Sequence, residues 1–137
     1  TGSNWENSVD LDAAAREFNA DLVGDTSADV VEIVLSRRRY PESAKHIEDA
    51  IANGQPEILT IDRSKARENR RLSLKGLARI KGLDLDEYPP AMFREGGQGA
   101  SVRAINPSDN RGAGASFGYQ LRGYSDGTKV KFRITDD

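Results

Sequence analysis

The chain has 137 residues, 31% of them charged, a mean hydropathy of -0.65 and a net charge of -2, which suits one domain with one core and excludes a second. No run approaches the roughly 18 apolar residues of a membrane span, and the absence of cysteine excludes a disulfide framework and any thiolate metal site. The opening Thr1-Gly2-Ser3-Asn4 has neither the basic start nor the apolar stretch of a secretory signal and reads as a scar or cut site.

In chain order, Leu11, Ala14, Ala15, Phe18 and Leu22 have helical spacing, and Gly24 ends that segment. Val30 to Leu35 is β-rich and predicts a strand. Pro41 opens a helix whose Ala44, Ile47 and Ile51 share a face, with Gly54 as its stop. Ile58 to Ile61 predicts a short strand leading into Asp62-Arg63. Ser64 is the expected cap of a basic helix holding Leu72 and Leu74, which Gly76 closes. After Asp86 a strand is expected through Met92 and Phe93, then a Gly-rich connection, Gly96-Gly97-Gln98-Gly99, and a second strand through Val102 and Ile105. Pro107, Ser108 and Asp109 start a helix to about Leu121, and Asp126-Gly127 precedes a last strand, Val130 to Ile134.

The net charge conceals an asymmetry. Thr1 to Val30 carries seven acids against one base, whereas Arg63 to Lys81 carries eight bases, among them Arg63, Arg70, Arg71 and Lys75, against one acid. Such a basic segment can neutralise phosphates and release counterions, the main source of sequence-independent affinity for nucleic acid. Its plain alternative is a solvated helix face.

The stretch from Asp86 to Leu121 reads strand, strand, helix, and it carries acids and amides where a metal-dependent phosphodiesterase needs them. It contains Asp86-Glu87-Tyr88-Pro89-Pro90-Ala91-Met92, Glu95-Gly96-Gly97, Ala100-Ser101-Val102 and Asn106-Pro107-Ser108-Asp109-Asn110-Arg111-Gly112-Ala113-Gly114. Upstream stand Arg39-Tyr40-Pro41-Glu42, His46-Ile47 through Ala50-Ile51, Thr60-Ile61-Asp62-Arg63 and Ser73-Leu74-Lys75. With these blocks in order, Arg39 to Ile134 resembles the NucA/NucB deoxyribonuclease family of small bacterial endonucleases.

The resemblance implies an α+β fold with a ββα-metal (His-Me finger-like) core and extra helices and strands. It implies a nuclease domain over 31–137, preceded by an acidic N-terminal extension with a short helix over 1–30. Asp86 would take the base role that a histidine fills in larger relatives, and Asn110 would ligate Mg²⁺ or Mn²⁺ through its amide oxygen. Gln120 would reach the metal or a water on it, at a position where some family members have a carboxylate. Glu87 joins the catalytic set, with Glu95 as another acid able to serve as ligand. Arg111 beside the metal, with Arg63, Arg70, Arg71 and Lys75 from the basic segment, would hold the phosphate. Secreted family members often carry cysteines where this chain has Leu59 and Phe93, which implies an apolar core contact in place of a covalent one.

Phosphodiester cleavage needs an activated water, positive charge at the phosphate and a way to expel the leaving oxygen. An aspartate with a reference pKa of about 3.9 is a weak base at neutral pH, so the expected mechanism depends on metal. Each residue also has a plainer reading. Asp86-Glu87 could be a turn into an edge strand, Asn110 a helix cap, Asp62 a cap or arginine partner, and His46 a structural hydrogen-bonding group on an amphipathic helix. Arg37-Arg38-Arg39 reads as exposed.

The combination predicts a monomeric, metal-dependent, non-specific endonuclease acting on DNA, with RNA as a second substrate class, since nothing in the sequence suggests base reading. It is expected either as a secreted nuclease or as a toxin domain delivered into target bacteria. The acidic front and missing cysteines favour the toxin, whose producer would need an acidic immunity protein over the basic face. The alternative is an inactive nucleic-acid-binding module, for which the glutamine at 120 is the main argument.

Overall fold

The computed structural model describes residues 29–137, so the helix expected over Asp10 to Leu22 lies outside the described residues. Alternating burial makes Val31–Ser36 strand β1, with Ile33 and Leu35 wholly buried and Glu32 and Val34 exposed. Helix α1, Pro41–Ala52, begins at the expected proline and buries Ala44, His46, Ile47 and Ala50 on one face. The expected strand at 58 to 61 reduces to Leu59–Thr60, β2, with Ile58 exposed and Ile61 forming an isolated bridge to Phe93. A 3-10 turn at Arg63–Lys65 leads into α2, Ala66–Ser73. Ser64 therefore does not cap the basic helix; its hydroxyl donates to Asp62 Oδ1 at 2.8 Å within the turn.

Strands β3, Asp84–Tyr88, and β4, Ser101–Ile105, form an antiparallel pair with Asp86 opposite Arg103. The first strand ends at Tyr88 and does not run on through Met92 as expected, because Pro89 and Pro90 have no N–H to give a ladder. Helix α3, Pro107–Leu121, follows β4 directly, and β5, Lys129–Thr135, comes last. The architecture is α+β. A three-stranded sheet in the order β1-β5-β2 has β5 central, parallel to β1 and antiparallel to β2, and the β3-β4 hairpin stands apart from it.

The core joins these layers. Phe132 of β5 makes edge-on contacts with Tyr88, Phe93 and Phe117 at centroid distances of 6.0, 6.4 and 4.8 Å. Leu59 and Phe93 are both fully buried in the same apolar cluster. Asn69 of α2 is buried and donates to the carbonyls of Ala91 and Phe93 at 3.1 and 2.9 Å, which ties the basic helix to the loop after β3.

Helices α1 and α3 are locked at their N-termini. The buried Asp109 carboxylate accepts from Glu42 N at 2.8 Å, Ser43 N at 3.0 Å and the Ser43 hydroxyl at 2.6 Å. Glu42 Oε1 returns the contact by accepting from Asn106 N at 2.9 Å. Each helix thus supplies an acid for orphan N–H groups at the start of the other, and close approach is possible because a Cβ on Gly112 would meet the Tyr40 ring at 2.6 Å. Replacing Asp109 by Ala should lower stability by about 2–4 kcal/mol, read as a reduced urea midpoint at unchanged slope. A loss below about 0.5 kcal/mol would show that the helices are held together by packing alone.

Candidate active site

The face of α1 that enters the core carries His46 to β3. Its Nδ1 lies 2.7 Å from Asp86 Oδ2 and its Nε2 lies 2.9 Å from the Ser101 hydroxyl on β4. A neutral imidazole satisfies both contacts by donating from Nδ1 to the carboxylate and accepting from the serine. The ring is fully buried while the Asp86 side chain keeps 21% exposure, so one end of the carboxylate is anchored and the other faces outward. His46 is the structural hydrogen-bonding group that its helix pattern implies; sequence alone could not show that its partner is the candidate base.

Asn110 does not cap α3, because Asn106 does so, accepting from Ser108 N and Asp109 N at 2.8 and 3.2 Å. One turn in, the Asn110 amide nitrogen instead donates to Asp84 Oδ2 at 3.0 Å, and among the described residues its carbonyl oxygen has no hydrogen-bond donor. Asp84 also receives two bonds from Arg111, at 3.0 and 3.1 Å. The Arg111 guanidinium, then the Asn110 amide, holds the Asp84 carboxyl below its ordinary range.

Asp86, Glu87 and Asn110 stand together between two hollows. On one side is a largely apolar cavity of about 210 Å³ reaching Ile47, Met92 and Phe117. On the other is a cleft of about 650 Å³ walled by Arg70, Leu77, Arg79 and Arg111. Gly114 and Gly118 of α3 line the first cavity, with open space where a Cβ would stand. Glu87 is largely withdrawn from solvent beside Arg70, 4.0 Å away. Burial pushes its carboxyl up, an effect that Arg70 only partly offsets.

The other sequence-predicted residues are placed unevenly. Gln120 is not brought to this cluster: its amide accepts from Val34 N and donates to Val34 O, both at 2.8 Å, and continues the hydrogen bonding of the β1 edge. Arg63 is held by the Leu121 and Tyr124 carbonyls and by Asp126, which makes it a strut between α2 and the end of α3. Glu95 is occupied by the Thr60 N–H and hydroxyl at 2.8 and 2.9 Å. Asp62 accepts from Ser64 and lies 3.9 Å from Arg94. Arg71 pairs with Glu68 on an exposed face, Arg37 is clamped by Glu48 and Asp136, and Lys75 is exposed.

Comparison with known proteins places this geometry. The family described as Deoxyribonuclease NucA/NucB matches residues 47–134. The chain belongs to this family. It is also similar to the DNA-entry nuclease of Bacillus subtilis (strain 168), 58% identical over 96 residues. The matched part is 70% of this chain and 65% of that protein, so just under two-thirds of the relative's length is spanned. Asp86, Glu87 and Asn110 all lie within the NucA/NucB match, and His46 is the residue before its start.

As a donor set, the Glu87 carboxylate and the free Asn110 amide oxygen suit a hard divalent cation of the Mg²⁺ or Mn²⁺ type. Among the described residues no three His, Cys, Asp or Glu side chains form an ion-holding group. Water would therefore fill most of the coordination shell, which Mg²⁺ readily accepts.

Two outcomes follow from this geometry. Replacing Gln120 by Ala should cost about 1 kcal/mol of stability and leave turnover per folded molecule unchanged, whereas a tenfold loss of turnover at intact stability would return Gln120 to the site. Because the folded-state pKa of Glu87 is raised, its contribution favours the fold below the ordinary carboxylate value and is lost as pH rises through the raised one. In EDTA the Glu87→Gln chain should therefore melt above wild type at about pH 7, the gap closing towards about pH 4. An unchanged gap across that range would show that Glu87 titrates normally.

Proposed function

We propose that the chain is a metal-dependent, non-specific endonuclease hydrolysing DNA phosphodiester bonds, with β3, β4 and α3 serving as a ββα-metal core. The observation that carries this reading is the partly exposed Asp86 carboxylate, anchored through Oδ2 to buried His46 and set beside Glu87 and Asn110 on a cleft that Arg70, Arg79 and Arg111 also line. The likeness to the DNA-entry nuclease of Bacillus subtilis points the same way.

In the proposed reaction a water oxygen bonds to phosphorus as the bond to the leaving oxygen breaks, the attacking water's proton passes to Asp86, and the leaving oxygen takes up a proton from solvent water in the open cleft. His46 keeps the carboxylate oriented and its free oxygen turned to the cleft, while the carboxylate, which can only accept, places the imidazole proton on Nδ1 and the Ser101 hydroxyl donates to Nε2. Arg70 and Arg111 at the rim meet the non-bridging phosphate oxygens. Glu87 and Asn110 are the groups that would hold Mg²⁺ or Mn²⁺. The ion supplies positive charge at the phosphate and lowers the pKa of water, which compensates for a carboxylate base.

RNA is a second substrate class, because contacts confined to the backbone discriminate weakly. We place the activity outside the producing cell, either as a secreted nuclease or as a domain delivered into target bacteria with an acidic immunity protein in its producer, since such an enzyme would attack its own chromosome. The case for an inactive binding module weakens once the Gln120 amide is seen to serve β1.

Plasmid nicking in Mg²⁺, Mn²⁺ or EDTA tests the reading. The wild-type chain should cut only with metal, and Asp86→Asn and Asn110→Ala should each lose about 10²–10⁴-fold in kcat while staying folded. His46→Leu should lower kcat at unchanged KM, with His46→Asn, which restores a donor, recovering part of the loss. Wild-type cutting that survives EDTA, or an Asp86→Asn chain as active as wild type, would overturn the assignment.

A further inference from the structure

Between α2 and β3 the chain crosses the cleft wall as Lys75-Gly76-Leu77-Ala78-Arg79-Ile80-Lys81-Gly82-Leu83, every residue of it exposed. Leu77, Ile80 and Leu83 are 49%, 49% and 41% exposed, unusual for large aliphatic side chains and concentrated here in one short segment. Nothing in the core explains them, and the proposed chemistry does not use them. Leu77 and Leu83 line the same cleft as Asp86, Glu87 and Asn110, and Ile80 and Leu83 line the adjoining groove with Arg79, Lys81 and Arg111.

Charge identifies the occupant. Lys75, Arg79 and Lys81 interleave with the apolar residues and the segment contains no acid, so the segment itself suits a polyanion, while Asp84 in the adjoining groove is paired with Arg111. It contains no aromatic residue on which a single-stranded base could stack, and an irregular segment is not the helix or ribbon that a major groove admits. Short aliphatic side chains flanked by cations are what minor-groove proteins insert between base steps.

We propose that Leu77 and Ile80 form a minor-groove wedge: they enter duplex DNA, partly unstack one base step and bend the duplex so that a phosphate is carried into the cleft at Asp86. Lys75, Arg79 and Lys81 hold the flanking phosphates. The proposal rests on the nuclease reading for what happens at that phosphate, but the wedge itself is a binding property separable from cleavage. Its expected consequence is a preference for flexible pyrimidine–purine steps without base-specific hydrogen bonds.

The test uses the full chain in EDTA with a 30-bp duplex (about three helical turns) carrying donor and acceptor dyes at its ends, titrated at several salt concentrations. Wild type should bring the dyes closer, as a bend of about 20–90° requires. The Leu77→Ser/Ile80→Ser chain should bind about tenfold more weakly and leave the duplex straight, with the same slope of log K against log salt. The Leu77→Met/Ile80→Leu chain should restore the bend. Lys75→Ser/Arg79→Ser should instead reduce the salt slope by about one per phosphate contact removed and keep the bend. Binding without bending by wild type, no binding by wild type, or a serine variant that bends as wild type does would each overturn the wedge. A wild-type chain that bends the duplex but nicks no plasmid with metal would sustain the wedge and sink the nuclease reading; one that nicks without bending would do the reverse.

Discussion

The Asp109 carboxylate fixes the relation between the two helices that supply the candidate site. It satisfies the orphan amides at the start of α1 from a position on α3, and its neighbour Asn110 is thereby set at a defined height beside β3. Four residues along α1 from Glu42 comes His46, which reaches β3 from the other side. The hairpin is therefore gripped by two helices that are themselves tied by a buried charge, whose partners must all be satisfied for burial to be tolerable. The separation of Asp86 and Asn110 is inherited from this joint together with the Asn110–Asp84 bond, and not from the Gly-rich connection between β3 and β4.

The basic segment that dominates the sequence serves several purposes in space. Arg63 braces the end of α3, Arg71 is paired locally with Glu68, and Arg70 alone stands beside the buried Glu87. Lys75, Arg79 and Lys81 extend from the cleft on an exposed arm. A charge count along the chain cannot make these distinctions, since the partner of a guanidinium can lie three residues away, as Glu68 does for Arg71, or more than 50, as Leu121 and Tyr124 do for Arg63.

Local physics was legible from the residues wherever one element decided the matter. Pro41 and the spacing of Ala44, Ile47 and Ile51 placed α1, and Pro107, Ser108 and Asp109 marked the start of α3, because such signals act within a few residues; the Asn106 cap emerges only from the structure. The end of β3 was misjudged because apolar Met92 and Phe93 read as strand, while the two prolines before them remove the donors a ladder needs. The tie between His46 and Asp86 was invisible for another reason: a buried imidazole announces that it needs partners but not which ones. Gln120 illustrates the converse, since an amide suited to a metal-bound water is equally suited to a strand edge, and only the position of Val34 decides between them.

The sheet also has a bearing on when the domain can exist at all. Its central strand is β5, the last in chain order of the described strands, and both neighbours depend on it: β1 pairs with it in parallel and β2 antiparallel. Glu32 and Arg133, bonded across the β1-β5 pair, are 101 residues apart in the chain. The aromatic cluster likewise waits for Phe132. Such non-local closure is slow, and a nascent chain lacking its final strand has no sheet against which α1 and α3 can seat the hairpin. The residues around Asp86 therefore come together only once β5 has joined the sheet, and a chain without that strand carries the parts of the cleft but not the cleft.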